Sequence, residues 1–189
     1  MKKIVILTTY RTGSTAFCDA LSKKYNLKNL DEHFHEARSP RYHEYFKITD
    51  FVMKIMPDQI VEPHFSKLIP KCIVYGLYRK DLIKQIASYY LALGRDEWHI
   101  KKDTSTCNYE LHLDHPHQKY LMWVAVNHIQ NSNRNYEKLF RPLVTKEFIY
   151  EDIRRTYLKN SDFDIYNKPK NYKEILHRIE RLVEGNTAI

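Results

Sequence analysis

Glycine is scarce in this chain, with 4 in 189 residues, which argues against a flexible Gly-rich linker protein. Cysteine is scarcer: Cys18, Cys72 and Cys107 are unevenly spaced and form neither a disulfide framework nor a zinc pattern. There is no long uncharged apolar run, so a transmembrane helix is not expected. The apolar stretch after Met1-Lys2-Lys3 is too short for a signal-peptide core and leads straight into a strand-and-turn pattern. Acidic residues are the minority charge, 23 against 31 Lys and Arg, for a net +8. What the chain has in quantity is apolar and aromatic material, 43% and 13%, including 15 Tyr. That is enough for a core and excludes intrinsic disorder. The expectation is one domain over residues 1–189, a cytoplasmic enzyme or a binder of anions.

The excess charge is concentrated. Residues 1–30 carry a net +5 and residues 61–90 a net +3, while the other four segments (−2, −1, +2 and +1) cancel. An even spread would suit nonspecific binding to nucleic acid; two concentrations suit discrete anion sites. Lys23, Lys24 and Lys28 read as an ordinary solvated surface.

Ile4–Thr8 is β-branched and continuously apolar, as in a strand buried on both faces. Helical spacing follows at Phe17, Ala20, Leu21 and Tyr25. Further strands are expected at Asp50–Met56, Cys72–Tyr78 and Leu143–Ile149. A helix follows the third strand, and a long one should span about Pro116 to Phe140. Residues 95–117 are polar and aperiodic and read as a long loop; residues 171–184 read as a closing amphipathic helix. Strands alternating with helices predict an α/β fold with a central parallel sheet flanked by helices.

Two motifs carry chemistry. Between the first strand and helix, Arg11-Thr12-Gly13-Ser14-Thr15 offers backbone N–H groups, two hydroxyls and a fixed charge to an anion. It is not the G-x-x-x-x-G-K-[ST] loop of nucleotide hydrolases, having one Gly and no Lys after it. The plain alternative is a helix capped by Ser14. At the end of the third strand stands Arg79, with Ser88 nine residues on along the following helix. A guanidinium fork and a hydroxyl can converge there on a second phosphate. Together the motifs describe one ligand with two anionic ends.

The ordered set of motifs resembles sulfotransferases that use 3′-phosphoadenosine 5′-phosphosulfate (PAPS, with product PAP), and within them the bacterial trehalose-sulfotransferase-like group. Thr9 through Leu21 is similar to that family's 5′-phosphosulfate loop and first helix, and Leu30-Asp31-Glu32-His33-Phe34 to the segment with its catalytic carboxylate. Lys54-Ile55-Met56 resembles a strand-end Lys motif, and Arg79-Lys80-Asp81 through Ala87-Ser88 the 3′-phosphate site. Asp96-Glu97-Trp98-His99 is similar to an aromatic stretch beyond it, and Tyr150-Glu151-Asp152-Ile153 to a Tyr-Glu-Asp-Leu segment. The chain departs from the family in its short length and in carrying Arg11 where many relatives have Lys.

The resemblance implies a three-layer P-loop-like fold and in-line sulfuryl transfer to a hydroxyl of a small molecule or carbohydrate. Arg11 and the N–H groups of residues 12–15 would stabilise the leaving 5′-phosphate, and Glu32 would take the hydroxyl proton. Lys54 would approach the sulfonate or 5′-phosphate if its strand lies beside the first. His64 is the alternative base. No metal is required; His112, Asp114, His115 and His117 are read as a His-rich loop rather than a metal cluster. Trp98, Trp123 and the long helix's tyrosines are read as core or loop anchors. Related bacterial enzymes include dimers, so the resemblance allows a homodimer; neither nucleic acid nor membrane is an expected partner. The rival readings are a nucleotide-binding phosphotransferase, a cofactor-binding protein without transfer activity, and a basic nucleic-acid-binding module.

Overall fold

A computed structural model describes residues 2–32, 47–60, 62–95, 109–156 and 168–185. Two compact units emerge, one over Met1–Lys80 and Ser132–Lys159, the other over Asp81–Asn131 and Asn160–Ile189. The described strands are β1 (Lys3–Thr8), β2 (Lys28–Asp31), β3 (Phe51–Ile55), β4 (Ile73–Tyr78) and β5 (Lys146–Ile149). The helices are α1 (Ser14–Tyr25), α2 (His64–Leu68), α3 (Leu82–Arg95), α4 (Pro116–Asn135), α5 (Tyr150–Thr156) and α6 (Tyr172–Val183).

The first unit holds the sheet, in order β2-β3-β1-β4-β5 with every pairing parallel. β1 is central because both its faces are apolar: Ile4 through Leu7 are fully buried. Ile4 and Ile6 pack with Phe17 and Leu21 of α1, Val52, Leu77 and Ile153 of α5. Val5 and Leu7 pack on the opposite face with Met53, Ile55, Phe65 of α2, Tyr136 and Phe140. Each such side chain stabilises by roughly 1.5–3 kcal/mol when fully buried, so only a strand covered by helices on both sides suits this run. The result is the expected α/β layering, helices on either face of a parallel sheet.

Four strands were legible in the periodicity, and the fifth, β2, is a correction. Lys28-Asn29-Leu30-Asp31 lies at the sheet edge, buries only Leu30, and shifts register between Asn29 and Asp31. An edge strand with one apolar residue leaves no alternation to read. The long helix starts at Pro116 as expected, but ends as α-helix at Asn135. A π-turn over Tyr136–Phe140 continues it and buries both terminal aromatics, and Arg141-Pro142 closes the run.

In the second unit α3 packs on α6. Asp81 precedes α3 and accepts from the Lys84 amide at 3.0 Å, capping the helix. The described end of the polar 95–117 stretch is anchored rather than loose. The Asn171 side chain brackets Leu111, donating to its carbonyl at 2.7 Å and accepting from its amide at 3.2 Å. Arg178 bridges Glu174 at 2.7 Å and Asp114 at 2.8 Å. Residues 96–108, including Trp98, lie outside the described residues. Among the described residues, no helix is long and apolar enough to cross a membrane.

Two predictions follow from this packing. A Cβ on Gly76 would run into the Tyr136 hydroxyl and approach Val144 Cγ2 to 2.9 Å. Gly76→Ala should therefore lower stability by about 1–3 kcal/mol, the usual cost of overpacking, as measured by urea unfolding. An unchanged midpoint would show that Tyr136 moves aside freely. The hydrogen bond from Arg178 holds the Asp114 carboxyl below its ordinary 3.8. A depressed carboxylate contributes stability above its unfolded value and loses it as pH falls through the folded one. Asp114→Asn should flatten the loss of thermal stability on acidification below pH 3.8; a variant with the wild-type slope would contradict that linkage.

Candidate functional site

In this strand order the chain leaves β1 for one side of the sheet and later returns to place β4 on the other. The crevice beyond the carboxyl ends of β1 and β4 is thus the topological switch point, where open α/β sheets bind ligands. The β1–α1 loop and Arg79 both stand there.

Buried hydroxyls shape the loop. Thr8 Oγ1 donates to the Leu77 carbonyl at 2.9 Å and lies 2.6 Å from Thr12 Oγ1, which stands 3.0 Å from the Thr9 carbonyl. Tyr10 Oη donates to Asp58 at 2.5 Å, in the 3-10 turn after β3. Arg11 and Gly13 both take left-handed backbone, φ 59 and 71. Gly13 is the N-cap of α1 and makes no side-chain capping bond. Ser14 is the first helical residue, so the plain alternative of a Ser14 cap does not describe this helix. The first-turn amides of α1 thus start the helix without a side-chain cap.

Lys54 on β3 lies beside β1, paired in register with Ile6, which meets the condition set for its role. It is 1% exposed. Its ammonium donates to Thr15 Oγ1 of α1 and meets Asp31 Oδ1 at 3.0 Å and Glu32 Oε1 at 2.9 Å. Three oxygens thus surround the ammonium. Glu32 also accepts from Gln59 Nε2 at 3.3 Å, and Gln59 is fixed in turn by the Met56 amide at 3.1 Å. Asp31 takes left-handed backbone, φ 48, its amide donating to the Asn29 side chain at 2.9 Å. Asn29 in turn donates to Asp19 at 2.5 Å. Glu32 keeps 20% of its side chain accessible, so a buried cation and a reachable carboxylate are held together.

Arg79, at the end of β4, donates from Nη1 to the Arg11 carbonyl at 3.3 Å. Its guanidinium lies over the Tyr150 ring, 4.7 Å from the centroid, and its Nε is 3.9 Å from Glu151. Glu151, in the first turn of α5, accepts from the Lys80 amide at 3.2 Å through its other oxygen.

The first unit therefore brings Arg11, Thr12, Gly13, Ser14, Thr15, Glu32, Lys54 and Arg79 to the carboxyl edge of one sheet. His64 opens α2, and the carboxylates that reach Lys54 are Asp31 and Glu32. Ser88 is buried on α3 in the second unit. Sequence reasoning missed Asp31 and Gln59 as partners of the Lys54–Glu32 pair, and Tyr150 as the platform under Arg79. Asp31 adjoins the predicted base and Tyr150 opens the Tyr-Glu-Asp-Leu-like segment, which were usable signals; Gln59 gave none.

Other candidates resolve differently. Burial pushes the Cys18 thiol far up and the Cys72 thiol up to about 11, which disfavours the thiolate at both. Among the described residues no group of His, Cys, Asp and Glu could hold a metal ion. Asp114 is committed to Arg178, and His115 Nδ1 accepts from the His117 amide at 3.2 Å. Trp123 is a correction: rather than anchoring core, it is 44% exposed and stacks with Tyr120, 59% exposed, at 6.4 Å.

No protein-family model matches the chain, and no curated protein matches it. Among solved structures it is similar to mouse sulfotransferase SULT7A1 complexed with PAP, at 8% identity and a TM-score of 0.49, over 100% of this chain and 68% of that one. At that distance the functional reading rests on the residues themselves.

Lys54→Met would strand Asp31 and Glu32 beside an apolar side chain. A loss of about 3 kcal/mol is expected, the low end for a broken buried pair because both carboxylates keep some access to water. Denaturant unfolding measures it, and a loss below about 1 kcal/mol, the scale of a surface pair, would contradict the central place given to this ammonium.

Proposed function

We propose that the chain is a sulfotransferase that moves a sulfuryl group from PAPS to a hydroxyl of a small-molecule or carbohydrate acceptor, acting in the cytoplasm. The observation that carries this reading is the meeting of two anion-binding elements at the switch point, joined by the Arg79–Arg11 bond, with the Lys54–Glu32 pair touching the same helix start through Thr15. The residues fit a doubly anionic nucleotide. α1 starts without a side-chain cap, and Arg79 has a buried Nε with no hydrogen-bond acceptor.

In this reading the amides of Thr12 to Thr15, with Arg11, hold the 5′-phosphosulfate end, and Arg79 holds the 3′-phosphate. When bound, PAPS supplies the activated sulfuryl group. The protein's part is donor and base. Thr15 Oγ1 accepts from Lys54, so its own hydroxyl hydrogen remains to be given to an anion at the helix start. The Lys54 charge, placed behind that hydroxyl, strengthens it as a donor where negative charge develops on the leaving oxygen. Glu32, aimed by Gln59 and Lys54, takes the acceptor's proton on the carboxylate edge that stays accessible. A hydrogen-bond donor of this kind is worth on the order of 10²–10³ in rate.

Two measurements test the reading. Adenosine 3′,5′-bisphosphate should raise the thermal midpoint, because a ligand that binds only the folded state stabilises it; wild-type protein that shows no rise rejects the nucleotide assignment. Glu32→Gln should keep that rise and lose transfer of ³⁵S-labelled sulfuryl groups into acceptor extracts. Turnover retained in Glu32→Gln would move the base to His64.

A further inference from the structure

Arg79 spends its guanidinium in three directions. Nη1 holds the Arg11 carbonyl at 3.3 Å, the plane rests on Tyr150, and Nε is buried with no hydrogen-bond acceptor, 3.9 Å from Glu151. Glu151 keeps one oxygen on the Lys80 amide and the other 3.9 Å from Arg79 Nε, so it offsets the guanidinium charge without a hydrogen bond to Nε. The carbonyl that Arg79 holds belongs to a residue at φ 59. A non-glycine residue keeps such a backbone only where its surroundings impose it.

Two residues later Gly13, at φ 71, turns the chain into α1. The direction of the Thr12 to Thr15 amides therefore depends on how the peptide after Arg11 is oriented, and Arg79 orients it. One guanidinium, its side chain 13% accessible, is thus placed to serve both ends of the ligand, directly at one end and through a carbonyl at the other.

We propose that Arg79 is a positioning residue for the 5′ end of the nucleotide as well as a contact for its 3′-phosphate, so that the two anion sites are energetically coupled through the Arg79–Arg11 hydrogen bond. This rests on the nucleotide reading above. A phosphate on the accessible part of the guanidinium fixes its plane, which narrows the loop to the conformation that receives the 5′ group. Order supplied at one end is then not lost again at the other. By linkage the effect is reciprocal, and a 5′ group that sets the loop also sets Arg79. Tyr150 supports the arrangement by holding the guanidinium face.

The test is calorimetric titration of adenosine 5′-phosphate and adenosine 3′,5′-bisphosphate into wild-type protein, Arg79→Lys and Tyr150→Leu, with unfolding midpoints recorded for each. Lysine keeps the charge but has no planar fork to serve the Arg11 carbonyl and an anion together. Arg79→Lys is expected to weaken adenosine 5′-phosphate, which has no 3′-phosphate, about tenfold, the equivalent of one charge-assisted hydrogen bond. It should weaken the bisphosphate more. Tyr150→Leu leaves every hydrogen-bonding group of Arg79 in place and should weaken both ligands in the same direction, which keeps the test open if Arg79→Lys folds poorly. Adenosine 5′-phosphate bound by both variants within twofold of wild type, whether or not their midpoints fall, overturns the coupling. Wild-type protein that binds neither nucleotide overturns the nucleotide reading and the coupling with it.

Discussion

The ammonium of Lys54 stands inside the sheet, 1% exposed, and a charge in that position persists only when oxygens replace its water. Those oxygens come from three places in the chain: Thr15 at the start of α1, and Asp31 and Glu32 at the end of β2. One cation therefore ties the first helix to the edge strand. Asp31 is backbone-twisted into the left-handed region to reach it, and Asn29 braces that turn. The same requirement holds the candidate base within reach of the candidate anion loop, so structural and chemical demands coincide at Lys54.

A second constraint acts across the neighbouring strand pair. β1 and β4 run parallel, with Thr8 opposite Leu77, so the loop after one and the arginine after the other emerge side by side. The loop has one glycine with which to turn, and the remaining strain falls on Arg11, held by Arg79. Where a glycine-rich loop would reach this shape freely, this chain reaches it through tertiary hydrogen bonds. The candidate anion site therefore depends on β4 and β5 as well as on β1 and α1.

Much of the fold was legible because burial repeats locally. The β-branched run Ile4–Leu7, the spacing of Phe17 and Leu21, and the Ile175 and Ile179 positions of α6 each announce an element by their own period. β2 was hidden because an edge strand buries a single leucine, and the π-turn at Tyr136 because its apolar residues also suit an α-helix. Arg11 and Arg79 could be nominated from charge placed at strand ends, and Lys54, Glu32 and the Tyr150 segment from the resemblance to sulfotransferase motifs. Gln59 could not, since a glutamine after a Pro-Asp turn is ordinary in isolation. Tyr120 and Trp123 were read as core or loop anchors, yet they stand as an exposed stacked pair.

The sequence by itself determined where β1, β3, β4, β5 and the helices α1, α3, α4 and α6 fall, that both faces of β1 must be covered, and that Arg11 and Arg79 follow strand ends. These follow from chain-local periodicity and from the spacing of a turn before a helix. Only the tertiary structure decided which groups meet. Lys54 reaches Thr15 across 39 residues and Arg79 reaches Arg11 across 68. Such contacts are set by strand order and parallel register, which arise when separate apolar faces pack together and which no local pattern encodes.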